Sequence, residues 1–358
     1  MSIHCACANL REVASHQQTK IYQLPSDKLQ NRYFVLTGPG SRELLGSPEV
    51  IGFPCYTALL ADTVAAFRYL LNSGLSGDFD ILTILRGGLN YPLEEACAQV
   101  GARVRDIHFV SCERVIRDHV ITGLEIKYDK LRPTPDRVLC IGDILASGAT
   151  IRECMEYLLK VFKEQGGSLQ RIVFFTIGGT RSIEMMEEMT PQIQALFPGF
   201  EGFDCFFYEG VFTVYDGPGA SGINVRDIDF GWKGGAVAPE FRQWVMEHPD
   251  ALLEKCIIYD GGARRFEIPL HLDEVSEYWE GILERAHLID PVAFVGEKLG
   301  YPAPLDYQNW RSVTLVPEGW EALWEKEQAV LRGASSLDLA AIARRRLQSI
   351  DAIRKLYI

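Results

Sequence analysis

Short apolar runs alternate with amphipathic stretches through the middle of the chain. Residues 80–85, 137–141, 171–177 and 203–208 are apolar on both faces, the pattern of parallel strands covered by helices on two sides. Residues 104–110 alternate more and are expected nearer a sheet edge. The segments between them have helical spacing. Across 150–163, Ile151, Met155, Leu158, Leu159 and Phe162 share one face, and Arg152, Glu153, Glu156, Lys160 and Lys163 lie off it. Residues 89–100 and 182–196 repeat that pattern. Residues 58–71 predict a helix ahead of the first of these strands.

Strands alternating with helices from about residue 55 to 215 predict an α/β domain, a central parallel sheet flanked by helices with right-handed crossovers. The connection 112–135 is polar, lacks a clear period and ends in Pro133 and Pro135. It reads as a long loop, and loops of that length inside a domain usually have a function. Its Arg114, Arg117, Lys127, Lys130 and Arg132 outweigh Glu113, Asp118, Glu125 and Asp129. After Tyr215-Asp216-Gly217-Pro218-Gly219 the rhythm stops. Trp232, Trp244, Trp279, Trp310, Trp320 and Trp324 all fall beyond that point. The end of the chain reads as two helices, with Arg344-Arg345-Arg346 on a solvated face or on a partner surface. The expected division is an extension over 1–49, the α/β domain over 50–215, and a mainly helical domain over 216–358.

Composition narrows the function classes. The chain has 358 residues, enough for more than one core. A formal net charge of −12 argues against broad nucleic-acid binding. No apolar run reaches the roughly 18 residues of a membrane span, and the N-terminus lacks a basic region followed by an apolar one, so the expected compartment is the cytoplasm. The nine cysteines are scattered, several within apolar runs, as buried thiols are. His4, Cys5 and Cys7 form a short cluster with metal-ligand chemistry and little else to support it.

The chemistry concentrates in "VLCIGDILASGAT", residues 138–150. An apolar strand runs into Asp143, then through Ala146 into the small-residue turn Ser147-Gly148-Ala149-Thr150, which opens the helix beginning near 151. Helix N-termini present unpaired N–H groups and a positive partial charge, so a phosphate is stabilised there. A phosphate loop of the Walker type needs four residues between its glycines and a lysine before the Thr. Gly142 and Gly148 enclose more, and Ala149 stands in the lysine's place. A second strand end carries Leu85-Arg86-Gly87-Gly88-Leu89-Asn90, again strand, glycine turn and helix. Open α/β sheets bind ligands at such strand ends.

Together these two stretches resemble the type I phosphoribosyltransferases over about residues 50–215. The resemblance implies that Asp143, Ala146, Ser147, Gly148, Ala149 and Thr150 bind the 5-phosphate and ribose of 5-phosphoribosyl 1-diphosphate (PRPP). It implies that Arg86, Gly87 and Gly88 bind the pyrophosphate, with Asp143 and Arg86 as catalytic groups. Mg²⁺ would accompany PRPP, with Asp143 as its indirect protein contact. The loop 112–135 stands where the family has its closing lid. Tyr208 and Glu209 follow the last strand, where the family recognises its acceptor, although a plain turn is an equal alternative. Gly178-Gly179-Thr180 ends another strand and is a further candidate for the site's lining. The expected partners are small molecules, PRPP and a nitrogenous acceptor, with no nucleic acid or membrane, in a chain that could form a homodimer.

One departure bears on activity. The family has two adjacent acids, and here Gly142 replaces the first. Two functions are therefore carried forward: transfer of phosphoribose to a nitrogenous acceptor with release of pyrophosphate, and PRPP or nucleotide sensing on the same scaffold. A partner-binding role for the Trp-rich C-terminal half is a third.

Overall fold

The computed structural model of the chain describes residues 9–26, 30–85, 91–117, 120–146, 148–214, 217–223, 230–255, 261–300 and 306–357. The strands are β1 (Arg11–His16), β2 (Thr19–Gln23), β3 (Arg32–Thr37), β4 (Asp78–Leu85), β5 (Arg103–Arg117), β6 (Val120–Lys130), β7 (Arg137–Leu145), β8 (Leu169–Gly179), β9 (Phe203–Val214) and β10 (Phe230–Val237). Within and before the strand-rich part lie helices α1 (Pro39–Gly46), α2 (Phe53–Thr57), α3 (Leu60–Asn72), α4 (Leu93–Gln99), α5 (Ala149–Glu164) and α6 (Thr180–Leu196). Beyond it come α7 (Pro239–Glu247), α8 (Pro249–Leu252), α9 (Gly261–Phe266), α10 (Ile268–Arg285), α11 (Pro291–Lys298), α12 (Tyr307–Thr314), α13 (Glu321–Gly333) and α14 (Leu339–Tyr357).

One mixed sheet organises the molecule, in the order β1-β2-β3-β9-β8-β7-β4-β5-β6, with β10 pairing β9. The stretch from β3 through β5 is parallel throughout. The expected strands are all present, and their two-sided apolar character has the expected cause: Phe79, Leu139, Ile141, Phe175, Phe206 and Phe207 are buried between the helical layers. The parallel strands direct their C-terminal ends to one edge, which is where both candidate loops begin.

Three findings depart from the sequence reading. Residues 11–37, within the stretch set apart as an extension, form β1, β2 and β3, and β3 pairs with β9. The connection 112–135 is not a loop over most of its length. β5 and β6 form a long antiparallel hairpin, with Phe109 opposite Lys130 and Arg117 opposite Val120. Its strand character comes from β-branched residues such as Val115, Ile116, Val120, Ile121 and Ile126, which cross-strand pairing favours even where charges are interspersed. Finally, Arg346 is not on a solvated face. It is buried, pairs with Glu49 and Glu254, and lies over the Trp279 ring at 5.5 Å.

The C-terminal region is helical apart from β10, and it joins the sheet's core without a break. Two polar joints tie it down. Arg242 pairs with Glu327, which also accepts the Trp310 indole N–H at 2.8 Å. Arg264 donates to the carbonyls of Val50, Leu44 and Ser47, covering the C-terminal end of α1. Such buried charges persist because each is paired or hydrogen-bonded. No described helix is long and apolar enough to cross a membrane.

Candidate functional site at the strand ends

β7 carries Asp143 to the C-terminal edge. Its carboxylate is half-buried and accepts the Ile144 N–H at 2.8 Å. Burial pushes this acid up to about 7, against the pull of that hydrogen bond. Thr176 of β8 is its register partner. After Ala146 the chain reaches Gly148, whose φ of +74° is the left-handed conformation that glycine adopts without strain. Gly148 is the N-cap of α5 and supplies no side-chain cap. Among the described residues no side chain caps the first turn of α5, where helix N–H groups can meet a ligand. Ser147 lies outside the described residues.

Residues 86–90, and with them Arg86, Gly87 and Gly88, also lie outside the described residues, as do His4, Cys5 and Cys7. The structure fixes the two ends of the 86–90 segment. β4 ends at Leu85, between β7 and β5. On the far side, buried Tyr91 accepts the Ile177 N–H at 3.1 Å and stacks on Tyr208 with ring centroids 5.0 Å apart. Leu85 thus ends β4 opposite Ser111 of β5, and Tyr91 lies against β8 and β9.

Tyr208 and Glu209 are fully buried, and both are engaged by the fold. The Tyr208 and Thr63 hydroxyls are 2.7 Å apart. Glu209 has φ +62° and sits where β9 passes from its pairing with β3 to its pairing with β10. One carboxyl oxygen accepts the Gly38 N–H at 3.0 Å and the Ser41 hydroxyl. Burial raises Glu209 to about 8, opposed by Arg42, the Ser41 and Thr37 hydroxyls and the Gly38 N–H. Asp62 accepts the Ser41 N–H at 2.7 Å and the Thr19 hydroxyl at 2.6 Å. Both acids therefore hold the N-terminal turn of α1. Gly38 permits this approach, since a Cβ there would stand 1.7 Å from an Asp62 oxygen.

Gly178, Gly179 and Thr180 close β8 and open α6. A Cβ on Gly178 would lie 2.8 Å from the Ser182 Oγ and 3.0 Å from the Thr176 Oγ1. Both hydroxyls are buried and have no hydrogen-bond partner among the described residues. Two unpaired hydroxyls thus converge over Gly178, one strand from Asp143. Thr176 was legible as the one polar residue inside an apolar strand; Ser182 becomes visible only once α6 folds over it.

A second group was not legible at all. A cavity of about 190 Å³ is lined by Thr83 of β4, Glu94 of α4, Gly142 of β7, Tyr56 of α2 and Arg265 of α9, among others. Arg265 arrives from far along the chain, and no local pattern announces it.

As for a metal, no described group of three or more His, Cys, Asp or Glu side chains is placed to hold one. Asp143 nevertheless fits Mg²⁺ bound chiefly through a ligand's phosphates, because such ions need only one or two protein carboxylates.

No protein-family model and no curated protein matches the chain. Solved structures similar to it include the AQ2163 protein from Aquifex aeolicus, 14% identical, covering 49% of this chain and 84% of that one at a TM-score of 0.34. The L. donovani hypoxanthine-guanine phosphoribosyltransferase is 12% identical, covering 45% of this chain and 83% of that one at a TM-score of 0.28. A hypoxanthine phosphoribosyltransferase from Staphylococcus aureus is 16% identical at a TM-score of 0.27, and the match spans 33% of this chain and 62% of the enzyme's length.

Proposed function

We propose that the chain binds PRPP at the ends of β7 and β4 and transfers its phosphoribosyl group to a nitrogenous acceptor. The observation that carries this reading is the junction of β7 and α5: a strand ending in Asp143, a left-handed Gly148, and a helix N-terminus without a side-chain cap. Phosphate binding needs free N–H groups, and ribose binding needs a carboxylate one turn away.

In this reading Gly148, Ala149 and Thr150 take the 5-phosphate, with Ser147 and Ala146 completing the turn. Asp143 orients the ribose hydroxyls and favours the positive charge that develops on the sugar as pyrophosphate leaves. Arg86, Gly87 and Gly88 are assigned the departing pyrophosphate. Mg²⁺ entering with PRPP would add positive charge at the diphosphate. Tyr208 and Glu209 act on the acceptor at most through the shape of the β9 bulge, because their polar groups face α1 and α3.

Gly142 supports a second reading, in which the chain binds PRPP and reports its level without turnover. One experiment separates the two. PRPP-dependent release of pyrophosphate is followed across a panel of purine, pyrimidine and acidic nitrogenous acceptors, alongside calorimetry with PRPP and Mg²⁺. Binding with release supports the transferase, and binding without release on any acceptor supports the sensor. Absence of binding removes both.

A further inference from the structure

The cavity at Gly142 is lined by a cation, Arg265, that has no charge partner among the described residues. The Arg265 guanidinium lies 4.3 Å from the centre of the Tyr56 ring and 4.8 Å from that of Phe266. The Tyr56 hydroxyl is itself held by the Glu95 carboxylate at 2.7 Å. Ring faces attract a guanidinium and fix its plane, and they leave its N–H groups unused. Among the described residues no carboxylate pairs with Arg265. Its neighbour Arg264 shows the contrast, since its N–H groups are consumed by three backbone carbonyls.

Two further features bear on it. The rest of the lining includes Ile81, Leu82 and Leu93, which partly shield an ion from water, and one acid, Glu94, which burial and the neighbouring Glu95 push above its ordinary value, toward the neutral form. Gly142 borders the same space. An acidic side chain at that position would bring a carboxylate to the cavity's edge and compete for Arg265.

We propose that this cavity is an oxyanion subsite, in which Arg265 from the C-terminal helical region binds a carboxylate or phosphate group of a ligand held at the strand ends. A planar guanidinium with free donors matches either group through two parallel hydrogen bonds. The anion is either the diphosphate of PRPP or a carboxylate on the acceptor, an assignment that rests on the transferase reading. The subsite itself does not.

The test uses the full chain and three probes: inorganic pyrophosphate, benzoate and ribose 5-phosphate. Arg265→Met keeps the stem against Tyr56 and removes the charge. Gly142→Glu keeps Arg265 and supplies it with a partner. Thermal melting establishes that each variant is folded. Both variants should weaken binding of pyrophosphate, benzoate or both by about tenfold or more, the effect of losing a charge-assisted pair. Ribose 5-phosphate, read at the α5 turn, should be unchanged in Arg265→Met. Loss confined to pyrophosphate assigns the subsite to PRPP, and loss confined to benzoate assigns it to an acidic acceptor. If the wild type binds neither anion, or folded Arg265→Met binds both as the wild type does, the subsite is refuted. Wild-type failure with ribose 5-phosphate, alongside Arg265-dependent anion binding, refutes the transferase reading and leaves the subsite standing.

Discussion

The Glu209 carboxyl accepts both the Ser41 hydroxyl and the Gly38 N–H, so the bulge in β9 holds the first turn of α1. A helix N-terminus favours a negative charge, yet burial is the larger effect, and the acid rises from an ordinary 4.5 to about 8. Between those values the folded chain keeps a proton that the unfolded chain has released. This group's contribution to stability is therefore full below about pH 4.5 and is lost as pH rises through about 8. Glu209→Gln mimics the neutral acid and does not titrate. Relative to wild type, its unfolding free energy should climb across that window, by on the order of a few kcal/mol. Urea melts of both proteins from acid to mildly alkaline pH read this directly, and parallel curves would show that Glu209 is not held neutral.

Adjacent arginines should differ in how much stability each supplies. Arg264 is buried and donates to three carbonyls at the end of α1 and beyond. Arg264→Met leaves those carbonyls without a donor and should cost about 3 kcal/mol or more. Arg265→Met loses only ring contacts and should cost about 1 kcal/mol or less. Chemical denaturation of the two single variants makes the comparison. Equal losses would mean that the two side chains share one role.

At the phosphate turn, Thr150→Val keeps the shape of the α5 N-terminus and deletes one hydroxyl. Ribose 5-phosphate should bind more weakly by about 1–3 kcal/mol, the usual cost of a hydrogen bond to a charged group. Calorimetry showing equal affinity, with the wild type binding well, removes Thr150 from the cradle.

What the sequence disclosed follows a physical line. β4, β7, β8 and β9 were legible because burial on both faces leaves no polar position to confuse the pattern. α5 and α6 were legible from their apolar stripes. The hairpin of β5 and β6 was not, because charges stand on it at intervals that break both helical and strand periods. Asp143 and Gly148 could be singled out because the turn that carries them is contiguous in sequence and bounded by a strand and a helix. Arg265, Ser182 and Asp62 were missed for the converse reason: each meets its partners only through tertiary folding. The buried positions of Tyr208 and Glu209 depend likewise on α1 and α3, which pack from the N-terminal side.

Asp143→Asn separates binding from catalysis. If the chain is the transferase proposed above, the substitution keeps size and removes charge next to the developing sugar cation. Turnover should fall by at least about tenfold more than PRPP affinity, since the charge acts chiefly on the transition state. Steady-state kinetics with the acceptor found by screening, together with direct PRPP titration, give the two quantities. Equal losses in both would make Asp143 a binding residue only.

Hydrogen exchange tests the hairpin that replaced the expected loop. Phe109, Val110 and Ser111 lie between β4 and β6, and amides flanked by strands on both sides should all be protected. Beyond Ser111, β5 has only β6 beside it, and β6 is the edge of the sheet. In an antiparallel pair alternate residues direct their N–H groups to the partner and the rest point outward. Protection should therefore alternate from 112 to 117 and again along 120–130, with breaks where the register shifts at Thr122 and Lys127, without any ligand. Lys130 pairs with Phe109 in that ladder, while Lys127 falls in the register shift between Tyr128 and Ile126, so in the free protein trypsin should cut more slowly after Lys130 than after Lys127. Uniformly fast exchange across 112–130 in the free protein, falling only when PRPP and Mg²⁺ are added, would instead restore the segment as a loop that orders on binding.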